Sequence, residues 1–141
     1  MPHLVVLYSP GLDAETDMSV LCRKLADTML AVRDDGGRQV FPTGGVRVLA
    51  YPAAHAAVSD GSGDHGLVYF NLRMGRGRSA ATHKTAGDAL AAAARAHFAP
   101  LLERRHLGLT LQLDEGQEVS VANFGNLHPL FATKDWLRCS T

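Results

Sequence analysis

The chain has 141 residues, enough for one domain with a real core and too few for two ordinary ones. Apolar residues make up 46% and charged residues 20%, the composition of a soluble globular protein and not of a disordered tail. Lys+Arg and Asp+Glu number 14 each, so no basic surplus exists to drive nonspecific nucleic-acid binding.

The first predicted element is a strand over His3 to Tyr8 (HLVVLY), closed by the turn Ser9-Pro10-Gly11. From about Asp13 the period changes. Met18, Leu21, Leu25 and Met29 recur every three or four residues, which predicts an amphipathic helix to about Arg33, with Asp13, Thr16 or Asp17 as its cap. Asp34-Asp35-Gly36-Gly37 ends it, and Pro42-Thr43-Gly44-Gly45 turns the chain into a second strand, Val46 to Tyr51. After a loop from Pro52 to Asp64 the pattern repeats in kind. Leu67 to Met74 is a strand, Gly75-Arg76-Gly77-Arg78 a glycine-rich turn, and Ser79 the cap of a long Ala-rich helix, in which Pro100 predicts a kink or restart. Leu107, Leu109, Leu111 and Leu113 alternate with polar residues and glycine as the last strand.

This order is β-α-β twice, each crossover long enough for a right-handed parallel connection. It predicts an α/β (α+β) two-layer fold: a four-stranded sheet with both helices on one face. The chain is expected to be a single domain over 1–141, with a pseudo-repeat of 2–51 and 66–114 and a tail over 115–141. The other sheet face is partly apolar and needs cover. Oligomerisation would supply it, or the long loop and the tail would fold over it.

Cys22 and Cys139 form no disulfide framework, and no Cys/His spacing implies zinc. Met1-Pro2-His3 leads into only a short apolar stretch, unlike a signal peptide, and no apolar window approaches a membrane span. A cytoplasmic protein that binds neither membrane nor nucleic acid is the expectation. Arginine outnumbers lysine eleven to three, and its planar fork suits carboxylate or phosphate.

Four segments in order carry a resemblance: the opening MPH-x-x-V-x-Y-S, FPTGGVR at Phe41 to Arg47, MGRGRS at Met74 to Ser79, and Asn123-Phe124 with Leu127-His128-x-Leu-Phe131. Together they resemble the 5-carboxymethyl-2-hydroxymuconate isomerase family of the tautomerase superfamily, from Pro2 to about Phe131. The resemblance implies a cofactor-independent isomerase and a homotrimer. It also implies a small di- or tricarboxylate dienol substrate from aromatic catabolism, a catalytic amine at Pro2 once Met1 is removed, and substrate-binding arginines at Arg47 and Arg78. The chain departs from the family around Asp34 to Gln39, in the loop from Tyr51 to Gly63 and in the tail from Ala132.

The residues themselves add the following. Removal of Met1 would leave Pro2 a secondary amine; a free α-amine titrates near 8, and desolvation or nearby cations favour its neutral form. Arg78 sits where a strand-to-helix turn gathers backbone N–H groups, a constellation suited to an anion. Arg47 reads equally as a solvated edge residue or a salt-bridge partner. Arg76 and Arg73 face solvent or an interface, with either available to a multiply charged substrate. Tyr8, Asn71 and Phe124 either line a pocket or pack in the core. His128 packs at a subunit boundary. Two other functions fit: a related enzyme acting on a different 2-hydroxy enoic acid or enolpyruvate, and a noncatalytic trimer that binds an acidic metabolite.

Overall fold

A computed structural model describes residues 2–132. Met1 and the end of the expected tail, including Cys139, lie outside the described residues. The strands are β1 (His3–Tyr8), β2 (Arg47–Pro52), β3 (Gly66–Met74) and β4 (Leu107–Glu115), and the helices α1 (Met18–Ala31) and α2 (Ala80–Leu102). They build one four-stranded sheet in the order β2-β1-β3-β4. β2 runs parallel to β1 and β4 parallel to β3, while the central pair β1 and β3 is antiparallel. Each β-α-β unit is thus parallel within itself, and the two units meet head to tail.

Alternation along the central strands decides the layering. Leu4, Val6 and Tyr8 of β1 and Val68, Phe70, Leu72 and Met74 of β3 are buried beneath the helices. Their helical partners include Leu21, Leu25 and Met29 of α1 and Leu90, Ala94 and Phe98 of α2. On the other face Leu7, Leu49 and Tyr51 remain exposed, so neither the loop nor residues 117–132 cover that surface.

Several boundaries differ from the sequence expectation. Leu12–Ala14 forms a separate 3-10 turn, and α1 begins only at Met18, because the Asp17 side chain accepts from the Ser19 and Val20 amides and fixes the start there. The Ser19 hydroxyl, donating at 2.6 Å, and then the Val20 amide hold the Asp17 carboxyl below the usual carboxylate range. The helix ends at Ala31 and not Arg33, since Val32 is already extended and its amide turns back to Met29. The second strand starts one residue later and ends one later than expected, at Arg47 and Pro52; the third begins at Gly66, and the fourth continues to Glu115. Ser79 caps α2 as expected, its side chain accepting from the Thr82 amide. The helix does not restart at Pro100 but runs through it to Leu102. Pro100 lies in the last turn, so the hydrogen bond it removes falls where the helix is already ending.

Candidate functional site

The register of β1 assembles one end of the sheet. His3 pairs with Arg47 on β2 and with Arg73 on β3, so the residue before it, Pro2, lies between the start of β2 and the end of β3. The Gly44-Gly45 turn leads into that start of β2, and Gly75–Arg78 leaves that end of β3. Pro2 itself is buried. A Cβ built on Gly45 would lie 3.5 Å from Pro2 Cδ, so the turn passes directly against the proline ring.

The last described segment closes over this end. After β4 the Gly116 amide donates to the Met74 carbonyl at 2.8 Å, and Arg76 Nε donates to the Gly116 carbonyl at 2.9 Å. Residues 127–132 are helical, and the backbone at 127–128 lies on Gly44. A Cβ there would sit 2.7 Å from His128 Cα and 2.9 Å from His128 N, closer than packing permits. Between these two anchors the chain passes from the β4 side to the β2 side, across the strand end where Pro2 lies.

Each of the two arginines is steered by neutral oxygens. Arg47 Nη1 donates to the Gly44 carbonyl at 2.9 Å. Arg78 donates from Nη1 to the Gly75 carbonyl at 3.0 Å and from Nη2 to the Val40 carbonyl at 3.2 Å, and its guanidinium carbon stands 5.2 Å from the centre of the Phe41 ring. Burial pulls the Arg78 pKa below the ordinary arginine value, opposed by the charge of Glu115, yet a guanidinium stays protonated near neutral pH. Among the described residues no carboxylate forms an ion pair with Arg47 or Arg78. Carbonyls therefore orient both cations without neutralising them, an arrangement suited to an incoming polyanion.

Two cavities receive these side chains. Arg47 lines one of about 510 Å3 together with Asn123, Phe124, Leu127 and His128. Arg78 borders one of about 320 Å3 with Asp34, Arg38, Gln39 and Thr82. The structure thus brings Arg47 and Phe124 together and sets Arg78 on a cleft partly built by the segment from Asp34 to Gln39. Asn71 lies on the open sheet face, where its amide donates to Asp114 Oδ2 at 2.7 Å. Arg76 is exposed, its Nε engaged with Gly116.

Tyr8 is the residue that belongs elsewhere. It ends β1 opposite Pro2, is 3% exposed within the core, and donates its hydroxyl to Asp13 at 2.8 Å. Burial first, then Asp13, pushes its pKa up to about 12. An aromatic at a strand end reads the same whether it lines a pocket or fills a core; here the helix-facing phase puts it in the core of its own protomer. The loop after Pro52 also lies at that far end. The Ala53 amide donates to the Tyr8 carbonyl at 2.7 Å, and Arg105 reaches the Asp64 carbonyl at 2.9 Å. Within one protomer this loop does not cover Pro2.

Two neighbours of the site were not expected there from the sequence: Gln39 was singled out for no role, and His128 was expected at a subunit boundary. Gln39 Nε2 donates to the Phe41 carbonyl at 2.8 Å and to Thr43 Oγ1 at 3.2 Å, bracing the turn that carries Gly44 and Gly45. His128 Cε1 lies 3.4 Å from the Cβ position of Gly45. Among the described residues no group of three or more His, Cys, Asp or Glu is arranged to hold a metal ion, and no helix is long and apolar enough to cross a membrane.

The sequence of residues 2–131 matches the family model for 5-carboxymethyl-2-hydroxymuconate isomerase. The chain belongs to that family. The 5-carboxymethyl-2-hydroxymuconate Delta-isomerase of Escherichia coli is 30% identical over 131 residues, covering 93% of this chain and 99% of the relative. A crystal structure of a 5-carboxymethyl-2-hydroxymuconate delta-isomerase is 61% identical with a TM-score of 0.89, covering 93% of each chain. The corresponding isomerase from Deinococcus radiodurans R1 is 34% identical with a TM-score of 0.83, covering 92% of this chain and 93% of the other. Likeness of fold extends to a fused 4-OT symmetric trimer at 22% identity and a TM-score of 0.52, over 89% and 95% of the two chains. Membership of the 5-carboxymethyl-2-hydroxymuconate isomerase family makes this chain an isomerase with a tautomerase-type fold.

Proposed function

We propose that this chain is a cofactor-independent isomerase that shifts a proton within a hydroxymuconate-like di- or tricarboxylate dienol, with the amine of processed Pro2 as general base and then general acid. The observation that carries the reading is the β1 register, which sets Pro2 between the strand end that bears Arg47 and the turn that bears Arg78. Burial and two unneutralised cations both favour the neutral amine, the form able to take a proton. Neutral Pro2 removes the proton of the 2-hydroxyl as the carbonyl forms, and the resulting ammonium returns a proton to a carbon further along the conjugated chain. Arg47 and Arg78 clamp the carboxylates, and whichever lies nearer the 2-oxygen stabilises charge developing there. Phe124 walls the Arg47 cavity beside the bound acid. Arg76 and Asn71 are auxiliary, acting on a third carboxylate where the substrate has one.

A homotrimer in the cytoplasm is the proposed working form. The exposed Leu7, Leu49 and Tyr51 face supports an assembly, and the fused 4-OT protein of like fold is a symmetric trimer. The test is direct. In material shown by intact mass to start at Pro2, ultraviolet absorbance should follow ketonisation of 5-carboxymethyl-2-hydroxymuconate. One alanine added ahead of Pro2 should abolish turnover while the assembly on size exclusion is unchanged. Full activity in the extended protein would remove Pro2 from the mechanism.

A further inference from the structure

Arg78 has a carboxylate nearby that does not close on it. Glu115 ends β4 opposite Met74, and the Gly116 amide just after it donates to the Met74 carbonyl at 2.8 Å. The Gly75 carbonyl, next along the chain from Met74, accepts from Arg78 Nη1 at 3.0 Å. The charge of Glu115 is accordingly felt at Arg78, yet among the described residues the two form no ion pair. Glu115 Oε1 lies instead 2.9 Å from Nε2 of His83. That imidazole stands in the first turn of α2, where the His83 amide donates to the carbonyl of the capping Ser79 at 3.0 Å. It is thus fixed to the turn that Arg78 enters. Its Nε2 is shut off from solvent and makes no other hydrogen bond among the described residues, so the carboxylate is what it has to attract.

We propose that His83 is a positioning residue: it holds the Glu115 carboxylate away from Arg78 and so keeps that guanidinium open to a carboxylate of the substrate. The inference rests on the isomerase reading of this site, in which Arg78 clamps the acid. A long carboxylate beside an unmatched guanidinium pairs with it unless something else holds it, because the two-pronged arginine contact is the stronger one. An imidazole attracts the carboxylate either as imidazolium or as the neutral tautomer with its proton on Nε2. With His83 removed, Glu115 turns to Arg78 and neutralises it, and the substrate then has to displace a resident anion.

The experiment compares processed wild type with H83F, H83Q, E115Q and the double variant H83F/E115Q, each checked for assembly and by circular dichroism. Kinetics use 5-carboxymethyl-2-hydroxymuconate, and calorimetry uses adipate, a saturated six-carbon dicarboxylate. H83F should raise both KM and the adipate Kd about tenfold, the scale of one charge-assisted hydrogen bond. H83Q, which keeps an N–H at similar reach, should stay close to wild type. E115Q alone should raise neither constant, and the double variant should recover most of what H83F loses, since a neutral amide cannot cancel Arg78. That recovery separates positioning from simple damage to the start of α2. Constants within twofold of wild type in H83F, as when the freed carboxylate turns to exposed Arg76 instead, would overturn the proposal. So would a loss that E115Q does not restore. The same pattern in adipate binding, in a wild type without turnover, would sink the isomerase reading and keep the positioning role. Turnover unaffected by H83F would do the reverse, and neither binding nor turnover in wild type would remove both.

Discussion

The two ends of β1 carry similar residues in opposite states. At the far end Arg105 is closed off: its guanidinium pairs with Glu15 and reaches the Asp64 carbonyl, and the Tyr8 hydroxyl is held by Asp13. At the Pro2 end Arg47 and Arg78 bond only to carbonyl oxygens, among the described residues. An arginine matched with a carboxylate ties structure together and has little attraction left for an anion. One held by peptide oxygens keeps its charge and loses only its freedom. The contrast teaches that orientation and neutralisation are separable, and that a functional arginine is recognised by which of the two its surroundings perform.

Substitution at each end should break this contrast in a different currency. R78A and R47A are expected to lower kcat/KM by about 100-fold or more, the scale of losing a charge positioned on the reacting acid, with little change in melting temperature. R105A should leave turnover within about twofold but cost on the order of 1–3 kcal/mol of stability, since Glu15 loses its partner in a half-buried setting. Equal losses of activity at the two ends would erase the distinction. Next in size is G44A: a Cβ 2.7 Å from the His128 backbone should displace residues 127–132, costing about 1–3 kcal/mol in denaturant titration and raising KM.

Smaller again is Y8F, expected to cost about 1 kcal/mol for the lost bond to Asp13 and to leave kinetics unchanged. The pH dependence has a defined sign. Folding raises the Tyr8 pKa from 10.0 to about 12, so the folded state holds that proton more tightly, and stability present below pH 10 falls as pH climbs towards 12. The alkaline slope of the melting temperature should be shallower in Y8F. On the acid side His97, at 2.8 Å from Thr16 Oγ1, has a pKa lowered from 6.5 by burial and then by Lys24. The folded state therefore resists its protonation, and the stability it contributes above 6.5 is lost as pH falls below that value. His97→Asn should flatten that part of the curve.

Local pattern made the layers legible. The alternation from Leu107 to Leu113, the three-and-four spacing from Met18 to Met29 and the Ser79 cap all appear as read. What local pattern does not carry is distance along the chain. The antiparallel meeting of β1 and β3 joins His3 to Arg73, and the fit of His128 on Gly44 joins segments far apart in sequence; a linear reading sees each partner alone. The start of α1 was obscured for a different reason. Asp13, Thr16 and Asp17 are all capable caps, and the geometry of the intervening 3-10 turn decides among them. In the site, the family segments contain Arg47, Arg78 and His128, but they do not show that His128 packs on the Gly44-Gly45 turn, and Gln39 works through contacts that leave no local signature.

The head-to-tail meeting of β1 and β3 also limits how often such chemistry can occur in one chain. The opening of each β-α-β unit points to a different edge of the molecule, and the second opening, at Gly66, is an ordinary peptide link whose amide donates to the His106 carbonyl at 3.1 Å. A duplicated scaffold thus has two geometrically comparable corners but a single polypeptide beginning. Cutting the chain before Gly66 and joining the old ends would move the beginning to the corner where Arg105 is already occupied by Glu15, trading the terminus proposed to react for one facing a closed ion pair.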